Sequence, residues 1–141
     1  MVASSIVLII QALLFRDGGL LALGANVFNM AIAITMTVVL ANKLLEKMGI
    51  KNEKIRIFIC SYLSVNIAAL LTAIELGLQP VLFTKAGKPL YFMYGLKTTI
   101  PAMMIPHLLI VGLVEAAMTV LLYSPLKNFV TIKAEEKEVN E

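Results

Sequence analysis

From Leu20 to Asn42 the chain runs without a single charge, and two amides, Asn26 and Asn29, sit inside the run. Thr35 and Thr37 are the other polar residues of its interior. About 20 apolar residues, at ~1.5 Å of rise each, carry a helix across a bilayer. The run is long enough to do so. Asn26 and Asn29 are three apart, so an α-helix places them on one face. An amide in hydrocarbon is costly without a partner, so this face is expected to turn toward protein or a polar cavity. The segment therefore predicts a membrane helix with a polar inner face.

Composition points the same way. Of 141 residues, 60% are hydrophobic and 15% charged. Soluble domains hold about 45–50% apolar and about 25% charged residues. The net charge of +3 comes from basic residues that flank apolar runs, which reads as membrane orientation rather than nucleic-acid binding. One cysteine, Cys60, permits no internal disulfide. Met1 leads directly into the apolar stretch Val2–Phe15, with neither a basic leader nor a cleavage site, so no signal peptide is expected.

The expected fold is an all-α polytopic transmembrane helix bundle with about four spans: residues 2–15, 20–42, 55–79 and 99–123. A charged turn, Arg16-Asp17-Gly18-Gly19, separates the first two. Between the second and third lie Lys43, Lys47, Lys51, Lys54 and Arg56 against Glu46 and Glu53. That basic excess assigns this connector to the cytoplasm. The 80–98 loop is then outside, although Lys85, Lys88 and Lys97 count against that orientation. The polar tail 127–141 falls inside and is expected to fray. These assignments predict a multi-pass plasma-membrane protein with a cytoplasmic carboxyl terminus.

Within the spans, five polar side chains are candidates for function: Asn26, Asn29, Glu75, His107 and Glu115. Counting from the outer ends of the spans puts Asn26 and Asn29 about 9 and 13 Å deep, Glu75 about 6 Å and His107 about 12 Å. Three spans thus bring polar groups to one layer, as a substrate or ion site requires. Glu115 lies about 12 Å below His107 and about 80° around the same helix, where it can face the cavity deeper down. Each has a plainer alternative. Intramembrane Asn also clasps helices together, and Glu75 is close enough to the interface for hydration. His107 follows Pro106, with Pro101 a turn earlier, and can satisfy a carbonyl that these prolines free.

Ala69, Ala73 and Gly77 recur every four residues, as do Gly112 and Ala116, and read as internal packing seams. The eight methionines lack a soft-metal spacing and read as core filler. There is no Walker motif, nucleophile elbow, HExxH or CxxC, and no nucleophile–base pair, so an enzyme is not expected.

The stretch Leu14-Phe15-Arg16-Asp17-Gly18-Gly19-Leu20-Leu21-Ala22-Leu23-Gly24-Ala25-Asn26-Val27-Phe28-Asn29-Met30 resembles the signature of the CbiM and NikM proteins. These are the cobalt and nickel substrate-binding membrane subunits of energy-coupling factor transporters. Residues 68–78, with Ala73-Ile74-Glu75-Leu76, and residues 106–115, with Pro106-His107 and Glu115, look like the same family in the same order. The resemblance implies a bundle of about seven helices, of which this chain matches the carboxyl-terminal part. It implies capture of Co²⁺ or Ni²⁺ as transported ion, with no resident cofactor. It further implies a transmembrane coupling subunit and ATPase subunits as partners, and a second chain for the early helices. The family's amino-terminal Met-His segment and Ser-His-Pro type motif have no counterpart: Val2 follows Met1, and His107 is the sole histidine. The metal ligands are thus left unknown. Asn26, Asn29, Glu75, His107 and Glu115 are cast as groups lining the ion path or orienting ligands from elsewhere. The competing expectation is a truncated accessory or structural membrane subunit, or a remnant without function, that binds no metal.

Overall fold

The computed structural model describes residues 2–10, 12–13 and 19–139 of the chain. Helix α1 spans Val2–Ile10. A second rod is built from α2 (Gly19–Asn26), a π-helical segment π1 (Val27–Ala33) and α3 (Ile34–Lys47). Its end is closed by Gly49, in the left-handed region at φ +80°, with Gly49 N donating to Glu46 O and Ile50 N to Leu45 O. This pair of bonds is the Schellman arrangement that satisfies the last free carbonyls of a helix.

Helix α4 (Glu53–Leu82) is the longest uninterrupted α-helix. It starts at Asn52, whose side-chain oxygen accepts from Lys54 N at 3.0 Å and Ile55 N at 3.3 Å. That is the N-cap chemistry the sequence Asn-Glu at this point favours. A short antiparallel hairpin follows, β1 (Thr84–Lys85) paired with β2 (Lys88–Pro89) in the register Thr84 to Pro89 and Lys85 to Lys88. The last rod joins α5 (Leu96–Pro106), a second π segment π2 (His107–Val111) and α6 (Gly112–Val139).

Helix α4 is the axis of the bundle. The rod of α2, π1 and α3 packs on it, and so does the rod of α5, π2 and α6. The residues α4 buries are small or polar: Cys60, Ser61, Ser64, Asn66, Ala68, Ala69, Ala73 and Gly77. Large apolar side chains such as Leu40, Leu109, Ile110 and Leu121 are exposed instead. A soluble core shows the reverse. Lipid is as apolar as leucine, so membrane helices gain little by hiding large side chains and pack through small ones.

The two seams anticipated in the sequence are internal contacts. A Cβ on Gly77 would lie 2.5 Å from Thr99 Oγ1 and 2.9 Å from the Leu96 Cα. A Cβ on Gly112 would lie 2.6 Å from Asn66 Nδ2 and 2.7 Å from the His107 carbonyl oxygen. At the far end of α4, Lys127 Nζ sits 2.8 Å from Glu53 Oε2, and the Tyr123 hydroxyl also bonds Glu53. Arg56 Nη1 meets Glu46 Oε1 at 3.1 Å, tying α4 to α3.

Among the described residues, three helices are long and apolar enough to cross a membrane: Leu23–Lys47, Glu53–Leu82 and Leu96–Val130. They correspond to the second, third and fourth expected spans. The first expected span, 2–15, contains α1, whose nine residues rise only about 14 Å. Residues 14–18, which hold most of the charged turn, lie outside the described residues. The tail differs from expectation, because α6 continues as helix through Val139. Its Lys133-Ala134-Glu135-Glu136-Lys137-Glu138 segment is made of good helix formers, so polarity there does not end the helix.

The Gly77 seam makes a direct prediction. Gly77→Ala should destabilise the chain by about 1–3 kcal/mol, because backbone of α5 stands in the way. Gly24→Ala, with nothing within 4 Å of the added Cβ, should be neutral or slightly stabilising. Denaturant unfolding of both variants in detergent micelles, followed by circular dichroism, measures the difference.

Candidate functional site

Asn29 sits in π1 and is 2% exposed. Its Nδ2 donates to Glu75 Oε2 at 2.7 Å and to Thr72 Oγ1 at 3.1 Å, both on α4. One face of α4 presents these two partners because Thr72 and Glu75 are three residues apart. The geometry of π1 puts the amide there. Ile34 N donates to Asn29 O, five residues back, so the turn is wider than an α-turn and carries an extra residue. Such bulges re-aim side chains and recur at functional sites. Asn26, at the start of π1, is half-buried and makes no capping bond to it. The wider turn alters the phase between Asn26 and Asn29, so three-residue spacing no longer implies a shared face.

Glu75 is half-buried, and its carboxyl group accepts a short hydrogen bond from Asn29. This contact joins two of the long apolar rods at one level. Counting sets the two about 13 and 6 Å deep in one broad layer; the hydrogen bond brings them together.

His107 opens π2, directly after Pro106. Its Nδ1 lies 2.8 Å from the Met103 carbonyl. A carbonyl can only accept, so Nδ1 carries the proton, and in the neutral ring the lone pair is on Nε2. The plainer alternative for His107, satisfying a carbonyl in a proline-loosened turn, thus describes its Nδ1. The helix tolerates the wide turn because Gly112 N donates to His107 O and has no side chain to collide with it.

His107 is not at the level of Glu75. Gly112 lies against Asn66, and the two helices are antiparallel. His107 is about 7.5 Å of rise above Gly112, and Glu75 about 13.5 Å above Asn66. His107 therefore lies about 6 Å deeper than Glu75. Counting from the span ends gives the same order, with Glu75 about 6 Å and His107 about 12 Å deep.

Glu115 is exposed and stands apart, about 18 Å deeper than Glu75 on the same reckoning. It lines a groove of about 320 Å³ between α3, α4 and α6, together with Asn42, Cys60, Ser61, Ser64 and Thr119. Thr119 Oγ1 donates to the Glu115 carbonyl at 2.8 Å, so in its 3.1 Å contact with Ser61 Oγ the serine is the donor. Ser64 in turn donates to Ser61 O.

Two polar residues escaped sequence reasoning. Thr72 bonds Asn29, and its signal was its position three before Glu75. Asn66 is 6% exposed and donates through Nδ2 to Tyr62 O at 2.7 Å, while its buried Oδ1 has no hydrogen-bond partner among the described residues. An amide in the middle of an apolar span was the available sign. Among the described residues, no three His, Cys, Asp or Glu side chains stand together as a metal cage would need.

Long apolar helices around a small-residue axis, fastened by polar bonds at membrane depth, define a multi-pass membrane protein with an internal polar site. Comparison narrows this class: residues 1–131 match the CbiM family, described as the cobalt uptake substrate-specific transmembrane region, and the chain belongs to that family. It is 46% identical over 127 residues to the "Probable fused nickel transport protein LarMN" of Lactiplantibacillus plantarum, covering 89% of this chain and 38% of that protein. It is 41% identical over 121 residues to the fused nickel transport protein NikMN of Rhodobacter capsulatus, covering 83% of this chain and 35% of that one. A crystal structure of a transition metal transporter superimposes with TM-score 0.84 at 48% identity, covering 91% of this chain and 56% of the other. The chain thus spans little more than a third of these two curated relatives.

The Asn29–Glu75 contact predicts coupling between the two positions. A double-mutant cycle of Asn29→Ala and Glu75→Ala, read by unfolding in micelles, should give about 1–2 kcal/mol of interaction energy. Additive effects would show that the two side chains do not depend on one another.

Proposed function

We propose that this chain is a membrane component of a nickel or cobalt uptake transporter of the energy-coupling factor type. The observation that carries the reading is the clasp of Asn29 with Thr72 and Glu75, which keeps a carboxylate at membrane depth inside a family of metal-transport proteins. A carboxylate held in this way favours a cation and disfavours an anion at the same level. His107, about 6 Å deeper, offers Nε2 as a nitrogen donor of the kind that Ni²⁺ and Co²⁺ prefer. Glu115 then provides a second carboxylate further along the same path.

In this reading the outer part of the path lies near Glu75 and the hairpin, and the Lys43–Arg56 connector faces the cytoplasm with the carboxyl terminus. A transmembrane coupling subunit and ATPase subunits supply the energy. One imidazole and a lone carboxylate cluster are too few donors for a tight site. The remaining ligands therefore come from helices that the relatives carry beyond the length matched here, on the same or a second chain.

Uptake of radioactive nickel and cobalt by cells making this chain with its transporter partners is the test. His107→Ala and Asn29→Ala should each lower uptake about tenfold or more at unchanged membrane levels, as loss of ligand-orienting groups does. Unchanged uptake in both variants would overturn the ion-path reading. Stoichiometric metal in the purified assembly, removed by chelator together with a drop in melting temperature, separates a binding subunit from an accessory one.

A further inference from the structure

Asn29 brings two amide protons and one amide oxygen to the cluster. Its Nδ2 faces Glu75 Oε2 at 2.7 Å and Thr72 Oγ1 at 3.1 Å. An ionised carboxylate only accepts. Thr72 has one hydroxyl proton, and it donates that proton to the Ala68 carbonyl at 2.9 Å. Toward Asn29, Thr72 is therefore an acceptor too. Turning the amide over would set its oxygen against the lone pairs of two other oxygens. The orientation of Asn29 is thus dictated by its neighbours.

The consequence appears at the other end of the amide. Asn29 Oδ1 is buried and has no hydrogen-bond partner among the described residues. What the cluster still has to offer is acceptors: this oxygen and the unused lone pairs of the carboxylate. A buried oxygen of this kind calls for a donor. A bare divalent ion fits poorly, since one amide oxygen and one carboxylate already engaged by Asn29 leave it several ligands short, and nickel and cobalt favour nitrogen.

We infer that Thr72 is the positioning residue of this cluster: by fixing Asn29 it presents Oδ1 as an acceptor and reserves the site for a hydrogen-bond donor rather than for a bare cation. The inference rests on the reading of Asn29 and Glu75 as part of the ion path. It makes Thr72 decisive through its hydroxyl rather than its bulk. Thr72→Val keeps the shape and loses the acceptor, while Thr72→Ser keeps the acceptor.

The experiment is proton exchange of the Asn29 carboxamide, followed by NMR on the full chain in micelles with ¹⁵N-labelled asparagine and identified by its loss in Asn29→Gln. Both protons should be protected in the natural chain. In Thr72→Val one should exchange about tenfold faster, the loss of roughly one hydrogen bond, and Thr72→Ser should restore it. Should the valine variant fail to fold, Thr72→Ala carries the same comparison. Nickel uptake by the assembled transporter should fall in Thr72→Val and recover in Thr72→Ser. Equal protection in Thr72→Val, or no recovery with serine, overturns the positioning role. Unchanged uptake in Asn29→Ala removes the ion-path reading instead, and the exchange data still decide whether Thr72 fixes the amide.

Discussion

Everything in this fold depends on how closely two rods approach α4. In hydrocarbon a large apolar side chain is as well placed against lipid as against protein, so burying it gives little. Dispersion contacts between closely set backbones gain more, and only small residues allow them. Gly77 lets α5 come within a side chain's width, and Gly112 does the same for the start of α6. Ala69 and Ala73 continue the buried line along α4. The apolar bulk of the chain then faces outward, which explains why leucines and isoleucines are exposed while serines, threonines and asparagines are buried.

Close approach brings polar side chains within reach of one another and of the backbone. Thr35, Thr72 and Thr119 each donate to the carbonyl four residues earlier, so their protons are spent within their own helices. Their oxygens remain as acceptors for a neighbouring helix. Thr72 uses its oxygen for Asn29, and Thr119 uses its own for Ser61. The same local habit thus makes two interhelical fastenings, one near each end of α4. The irregular turns fall where polar residues meet these seams, at Asn29 and at His107, where an α-turn would aim the side chains elsewhere.

Much of this was legible beforehand. Uncharged runs of spanning length marked α4 and the two long rods, and four-residue spacing of small side chains marked the seams. Helix ends were not, because hydropathy tracks lipid and not hydrogen bonding. Asn52 and Gly49 set the ends of α4 and α3 through capping, and the polar tail continues α6 by propensity. At the site, counting puts Asn29 about 13 Å and Glu75 about 6 Å deep, in one broad layer but not in contact, and the bond between them appears only in the structure. Thr72 could not be singled out, since a threonine in an apolar span most often serves its own backbone, and this one does that as well. The π turns left no periodic trace, so the phase of Asn26 against Asn29 was set by a feature that α-helical counting cannot see.

The polar groups divide by what they have left to give. At the level of Glu75 the protons of Asn29 and Thr72 are consumed, and unfilled oxygen lone pairs remain. At His107 the Met103 carbonyl accepts the hydrogen bond of Nδ1–H, and in the neutral ring the lone pair is on Nε2. Both levels therefore present electron pairs and withhold donors. A chain fastened only for stability has no need of that bias, since donors and acceptors clasp helices equally well.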